Sequence, residues 1–521
     1  MKMKAQKNVF YIIGVDLGVS FVKVGIYDIE GNCKGVTVKN SPGDYPKPGV
    51  FIQKNEDYMK VVLDSLKEAV EKSGIDNSKV EVIGFSGAMG GATGVDRKWN
   101  VIADWSIVSD TRYYPYVVEM QNIAGEQILK ISGTNFPFFA PKLLWWKKKF
   151  PNLYKKVAKF MFLSGYIVGK LCDIPIDEVF VDRSYLQMSG LADIIKNKWS
   201  EEICNEFDID INLLPKIFDS YTIIGKLSKK FSILCGLKEG IPLIAGVGDK
   251  PASSIGAGIV TPGTLIDESA SFAALSLCVD KYIPDTKYRT LENIPSPIKG
   301  YYFPSLFIFG SGITLAWFKD NFGGEEKLLA SKTNKSAFEL LDERARKVPP
   351  GSEGLLALGL LGGRGYPSDP NIRGMWIGHS WSHKKEHFYR SLLESFAYEY
   401  GYALNVMKKT YPDLELNEVR VIGGGARSDL WSQIKCDVMG LKYVKLSRDD
   451  FTLLGNVLIA GYGIGIYKDL KEVAKKFVIK TKEYLPDKKI HEHYKKYVSY
   501  YENIFDKVRD IFIDLKNIVN S

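Results

Sequence analysis

Residues 241–258, IPLIAGVGDKPASSIGAG, narrow the fold more than any other stretch of this chain. Ile241, Leu243, Ile244, Ala245 and Val247 have the composition of a strand covered on both faces, and the small residues 252–258 suit a tightly packed helix. Asp249 stands at the corner between them. A carboxylate beside a helix N-terminus, with glycines that let a ligand approach the backbone, can be a fixed hydrogen-bond acceptor for a substrate hydroxyl. From this stretch alone, Asp249 is equally an N-cap that satisfies the following helix's first N–H groups.

The remaining sequence decides what surrounds that corner. A chain of 521 residues exceeds one ordinary core and calls for roughly two to four domains. The formal net charge is +9, but 70 basic and 61 acidic residues are interspersed, so no segment reads as a nucleic-acid-binding arm. Cys33, Cys172, Cys204, Cys235, Cys278 and Cys436 are scattered without CxxC pairing, which argues against a zinc site or a disulfide framework. Residues 300–318 carry no charge, but Pro304, Gly310, Ser311 and Gly312 divide them into two short elements rather than a membrane span. Asp16 interrupts the apolar stretch that begins at Val9, and no small-residue cleavage site follows. A cytoplasmic protein without a membrane partner is the expectation.

Taken in order, residues 9–16 (VFYIIGVD) read as a strand, followed by Gly18, Ser20 and Lys23 and a second strand at 24–27. In such a turn, backbone N–H groups, a hydroxyl and a lysine can converge on phosphate oxygens, while a strand-end Asp can hold a divalent cation. A helical stripe at 57–73 leads to a strand at 80–86 and the small-residue loop 87–91, containing Ala88 and Met89, which could admit a small ligand. Asp110 and Arg112 could clamp a polyhydroxylated ligand, or form a surface ion pair or a helix cap. Trp145 and Trp146 read as core.

Residues 264–274 (TLIDESASFAA), with Ala270 and Ser271 in the turn, repeat the form of the first strand–turn–strand. Residues 303–318 read as a strand, Gly310-Ser311-Gly312 and a helix. His379, His383 and His387 would stack if their segment were helical, but no supporting zinc ligands accompany them, and Gly378 suggests a loop at His379. Strand 419–422 runs into Gly423, Gly424, Gly425, Ala426, Arg427 and Ser428 before a helix, a turn that lets a phosphorylated or planar ligand lie against the backbone. Residues 486–521 read as an amphipathic packing helix.

In their order and spacing these stretches resemble the FGGY family of carbohydrate kinases, in its xylulose-kinase-like branch, across the chain to about Gly465. DLGVSFVK resembles the family's first phosphate motif, VSDTR its sugar-site segment, GVGDKPASSIGAG its catalytic-Asp segment and GGGARSDLWSQ its adenosine motif. The resemblance implies an α/β protein with two actin-like ATPase (ribonuclease H-like) domains, mixed sheets flanked by helices, and a cleft between them. It divides the chain into 1–250 (sugar site and first phosphate motif), 251–470 (nucleotide site) and a helical extension 471–521.

It further implies ATP and Mg²⁺ as cofactors, with Asp16 helping to place the metal and Gly18, Ser20 and Lys23 near the transferred phosphate. Asp249 would accept the sugar hydroxyl proton, a task open to a carboxylate of ordinary pKa because proton acceptance comes late in phosphoryl transfer. Ala88, Met89, Asp110 and Arg112 would meet the sugar. Ala270 and Ser271 match the second phosphate motif, Gly310 and Gly312 the next nucleotide loop, and Gly424, Gly425, Ala426 and Ser428 the adenosine site.

Three positions depart from the family pattern. Val19 stands where Thr is usual and Ala270 where Gly is usual, while Gly90 follows Met89 where xylulose kinases typically carry His. The expected acceptor is a ketopentose such as xylulose or ribulose, with a tetrulose, a polyol, a sugar acid or a catalytically weak sugar sensor as alternatives. A structural or chaperone ATPase on the same fold would have no reason to keep Asp249 with the Asp110/Arg112 pair. The oligomeric state stays open, a homodimer included.

Overall fold

The computed structural model describes residues 10–520; Val9 and Ser521, the expected ends of the first strand and last helix, lie outside the described residues. The chain opens as a hairpin. β1 (Tyr11–Leu17) and β2 (Phe21–Asp28) pair antiparallel with Asp16 opposite Lys23, and β3 (Cys33–Asn40) adds to β2. α1 (Asn55–Ser73) turns Tyr58, Met59, Val62, Leu63, Leu66 and Ala69 inward at the spacing of one helix face. β4 (Val80–Gly87) then runs parallel to β1. After α2 (Ala140–Lys149), β5 (Ile223–Lys226) and β6 (Pro242–Ile244) complete the order β5-β6-β4-β1-β2-β3.

The single strand expected over 241–247 is in fact two pieces, β6 and a short β7 (Val247–Gly248) that pairs with β4. The break falls at Gly246. Its φ is +82°, and a Cβ there would lie 2.5 Å from the carbonyl oxygen of Phe85, so only glycine lets the chain press so closely on β4. α3 (Asp249–Gly256) starts directly at the end of β7.

The second sheet repeats the plan of the first. β8 (Leu265–Glu268) and β9 (Ala273–Leu277) form its hairpin, and β10 (Glu292–Pro295) and β11 (Tyr302–Ile308) extend the β9 side. Beyond α4 (Ser311–Phe322) and α5 (Lys385–Thr410), β12 (Val419–Ile422) runs parallel to β8 as β4 does to β1. α6 (Asp429–Met439) leads to β13 (Tyr443–Leu446), parallel to β12. After α7 (Phe451–Gly463), the edge strand β14 (Lys480–Tyr484) pairs antiparallel with β13, giving β10-β11-β9-β8-β12-β13-β14.

The segment from residue 471, expected to be helical, therefore also contributes a strand. Its long helix α8 (Lys488–Asn520) is amphipathic as its sequence predicts and buries Tyr494, Val498, Tyr501, Ile504, Phe505 and Phe512.

Two of the contacts that join the halves bear on the site. α7 leaves the second sheet and packs with α3 against Ile12, Tyr27, Val82 and Ile244 of the first, in one apolar cluster. At the crossing of α3 and α7 no side chain intervenes: a Cβ on Gly256 would lie 1.9 Å from the Phe451 carbonyl oxygen, and one on Gly455 1.9 Å from that of Ala252. The second join is polar. Glu292 of β10, 1% exposed, accepts a hydrogen bond from the Asn135 amide (2.8 Å) and one from the Gln187 side chain. Burial pushes its carboxyl up to about 7 against the donors that favour its charged form.

Candidate active site

Asp249 is not the N-cap of its helix. Gly248 occupies that position, and Asp249 is the first helical residue, with Oδ1 accepting from the Lys250 amide at 2.8 Å. Tyr185 braces the corner from behind, its hydroxyl lying 3.0 Å from the Gly87 carbonyl oxygen and 3.1 Å from that of Val247. Burial first, and the nearby Asp16 and Glu268 carboxylates next, push Asp249 up to about 7 against the pull of Lys250. The ordinary carboxylate pKa that late proton transfer permits is therefore not what this corner provides.

The first hairpin turn meets Asp249 from one side. Asp16 is 5% exposed; its Oδ1 accepts from Ser86 Oγ (3.0 Å) and its Oδ2 from Lys23 Nζ (3.3 Å). Asn456 of α7 donates to Ser86 Oγ (2.9 Å) and to the Val15 carbonyl oxygen (2.8 Å), so the inter-domain helix also fixes the metal candidate. The Gly18 carbonyl is held back by the Tyr58 hydroxyl (2.7 Å) and Ser41 Oγ (2.8 Å), and that of Val19 by Gln53 Nε2 (2.9 Å). With these carbonyls engaged in the protein, Ser20 is left exposed at the turn.

The second hairpin turn meets Asp249 from the other side. Lys250 Nζ donates to Glu268 Oε2 (2.9 Å) and Ser253 Oγ to Glu268 Oε1 (2.5 Å), tying the start of α3 to the end of β8. The following turn makes one surface with the other two glycine loops. The Gly312 amide donates to the Ala270 carbonyl (3.1 Å), that of Ile313 to Ser271 (3.2 Å) and that of Gly425 to Ser269 (2.8 Å). Gly310, at φ +95°, caps α4.

Gly424 has open space where a side chain would stand, and Gly425 lies against Ser269 and Trp431. Ala426 is buried under the loop. Ser428 is committed to the scaffold: its Oγ accepts from the Trp431 amide (3.0 Å) and donates to Asp342 (2.6 Å). Beneath this surface the buried pair Lys435–Asp267 holds Ser269, whose Oγ accepts from Lys435 (2.6 Å) and donates to Asp267 (2.8 Å).

The sugar-site candidates fall into two groups. Ala88 and Met89 are buried beside the Asp249 corner: the Ala88 amide donates to the Leu17 carbonyl (3.1 Å), and a Cβ on Gly248 would come 2.5 Å from Met89 Sδ. Among the described residues, Asp110 and Arg112 make no hydrogen bond or ion pair with Asp249 and form a group of their own. Asp110 caps a turn by accepting from the Arg112 amide (3.1 Å), and it grips the Arg112 side chain in a fork, Nε–Oδ1 2.9 Å and Nη2–Oδ2 2.6 Å. The pair is thus both cap and ion pair, with its carboxylate enclosed and its guanidinium 27% exposed over the Trp145 ring at 4.7 Å. His379 and His383 precede α5, and of the expected stack only His383 meets His387, edge-on at 5.3 Å between ring centres.

The pattern of the N-terminal domain of the FGGY family of carbohydrate kinases matches residues 11–256, and that of its C-terminal domain residues 278–464. This chain belongs to that family. A xylulose kinase of Bacillus subtilis (strain 168) is 28% identical over 513 residues, spanning 97% of this chain and 99% of its own. Among solved structures, a ligand-bound xylulose kinase from Lactobacillus acidophilus superposes with a TM-score of 0.88 at 22% identity, over 97% of this chain and 99% of the other. A gluconate kinase from the same organism reaches 0.88 at 21% identity, over 97% and 100%. These likenesses bear out the two-domain α/β fold and the carbohydrate-kinase assignment.

Kinases of this family take ATP as phosphoryl donor. No described helix is long and apolar enough to cross a membrane. Mg²⁺ prefers hard oxygen donors and is commonly held by one or two carboxylates together with waters and substrate phosphates. Asp16, buried at the strand end, offers one such carboxylate, and among the described residues no cluster of three or more His, Cys, Asp or Glu side chains is arranged to hold a metal by itself.

Sequence reasoning missed Lys250 and Glu268, both inside motifs it had quoted, because an ion pair across 18 positions has no local signature. It also missed Lys142, three residues before Trp145 in a stretch read only as core.

Proposed function

We propose that this FGGY kinase transfers the γ-phosphate of Mg·ATP to a hydroxyl of a ketopentose such as xylulose or ribulose, with Asp249 accepting the hydroxyl proton. The observation that carries this reading is the corner itself: one carboxylate, pushed up to about 7, between two hairpin turns of the same construction. Phosphoryl transfer asks mainly for alignment and charge neutralisation.

In this reading the turn with Gly18, Ser20 and Lys23 meets the phosphate in flight. Ala270, Ser271, Gly310 and Gly312 hold the donor's phosphates, and Gly424, Gly425 and Ala426 receive the adenosine. Ser428 supports that loop through its cap rather than by touching ligand. Asp16 helps to hold Mg²⁺, which when bound neutralises charge on the phosphates. Ala88 and Met89 contact the sugar, and Asp110 acts by orienting Arg112. Closure of the cleft excludes water and suppresses ATP hydrolysis. The working division stays near residue 250, with α7 returning to the first body.

The test is a coupled ADP-release screen with Mg·ATP against ketopentoses, tetruloses, polyols and sugar acids, with Asp249→Asn as blank. The expected result is a sugar-dependent signal that falls roughly 10²–10⁴-fold in the variant. Near-normal turnover by Asp249→Asn would remove Asp249 from the role. Sugar binding without product would point to a sensor.

A further inference from the structure

Lys142, at the start of α2, is 2% exposed, and among the described residues no carboxylate comes within ion-pair distance of its ammonium. Burying a charge without a partner is costly, and a methionine would fill the same space without that cost. What the ammonium does hold is backbone. Nζ donates to the carbonyl oxygens of Phe138 (2.8 Å) and Gly90 (3.3 Å) and lies 4.8 Å from the centre of the Tyr113 ring. These two carbonyls belong to separate segments, the loop 87–91 after β4 and the approach to α2.

Both segments are held on their other sides. The Phe138 amide donates to the Met188 carbonyl (2.9 Å). Met89 packs on Gly248, next to Asp249. Val108 packs over Gly90 so closely that a Cβ there would lie 2.3 Å from its Cγ1. A chain of direct contacts therefore runs from Lys142 through Gly90 and Met89 to Gly248 and the corner.

We propose that Lys142 is a positioning residue for the acceptor: its ammonium ties loop 87–91 to the segment before α2 and so fixes where a sugar rests relative to Asp249. The proposal rests on the reading of loop 87–91 as the acceptor site. A charged donor binds carbonyls roughly twice as strongly as a neutral one, so the tether is strongest while the amine is protonated. Burial pushes Lys142 down to about 7, against the opposing influence of Asp110. The other charged groups on the neighbouring elements are engaged elsewhere: Arg112 with Asp110, and Glu119 with Lys148 at 2.6 Å. Tyr113 and Tyr116 face the helix as rings. The amine therefore loses its proton, and the tether weakens, as pH rises through 7.

Two measurements on the full chain test this. Hydrogen exchange needs no turnover: Lys142→Met should speed exchange in 87–91 and 136–139 about tenfold and leave the loops 269–272 and 423–428 unchanged. Unchanged exchange in 87–91, or faster exchange throughout, overturns the tether whether or not the protein proves to be a kinase. The kinetic arm uses whichever sugar the ADP screen identifies. Lys142→Met should raise the sugar KM about tenfold, leave the ATP KM within twofold, and abolish a rise in wild-type sugar KM between pH 6.5 and 8.5. Lys142→Arg, charged throughout, should also lose that rise. Sugar and ATP KM rising together, or a pH dependence that survives Lys142→Met, contradicts the assignment. A wild type that turns over no sugar defeats the kinase reading and leaves the exchange result to judge the tether.

Discussion

Replacing Glu268 by Gln tests the electrostatics of the corner directly. Asp249 stands at about 7 because it is buried and because Asp16 and Glu268 are negative neighbours. The amide keeps one acceptor oxygen, enough for Ser253, but removes one of the two acidic charges and the ion pair with Lys250, whose charge then acts on Asp249 alone. An unperturbed aspartate, near 3.9, is fully ionised across any practical assay range and gives a flat profile. With a pKa of about 7, only about one-thirtieth is ionised at pH 5.5, so kcat/KM for the sugar falls about fifteenfold between pH 7 and 5.5.

Loss of one nearby like charge lowers such a pKa by roughly half a unit to one unit, so Glu268→Gln should keep about three to ten times more of its plateau kcat/KM at pH 5.5. The assay is coupled ADP release at fixed ionic strength, with wild type and variant each normalised to its own plateau. A flat wild-type profile down to pH 5.5, or an acid limb that Glu268→Gln leaves in place, would refute the claim that burial and these carboxylates set the base.

Other perturbations address the joints. Gly455→Ala puts a methyl where the Ala252 carbonyl already lies 1.9 Å away. It should cost about 3 kcal/mol or more, seen as a lowered denaturation midpoint; a loss below about 0.5 kcal/mol would mean the helices part easily. Glu292 is raised to about 7, against 4.5 for an ordinary glutamate, so the folded state binds its proton more tightly. Its contribution is complete below pH 4.5 and is lost as pH rises to 7. Glu292→Gln should therefore remove roughly 3 kcal/mol of the fall in stability between pH 4.5 and 7, read from urea curves at both. An unchanged pH slope would contradict the buried carboxyl.

Much of this was legible because the decisive motifs are local. Asp249 at a strand–helix corner, the paired strand–turn–strand units and the glycine loop before α6 each lie within about twenty consecutive residues, where alternation and small-residue runs report geometry directly. What the sequence concealed is set by contacts between distant segments. The break at Gly246 depends on Phe85, and the strand β14 looks like the lysine-rich approach to a helix until β13 gives it an edge to pair with. Asp110 and Arg112 were read as ligand clamp, cap or ion pair. Only the fold shows that Arg112 takes up the carboxylate.

The bare crossing of Gly256 and Gly455 also governs how the cleft can work. Two backbones in contact leave no cushion of side chains to slide on, so the second body can swivel about the crossing more readily than it can shift along it. Asp249 begins the same helix that Gly256 ends, which at 1.5 Å per residue puts it about 10 Å from that fixed point. A swivel of ~10° carries a group ~10 Å from the axis by less than ~2 Å, and one ~30 Å away by about 5 Å. A base that close to the crossing would therefore sit near the still centre of such a swivel, and whatever lies further out would travel to a carboxylate that hardly moves.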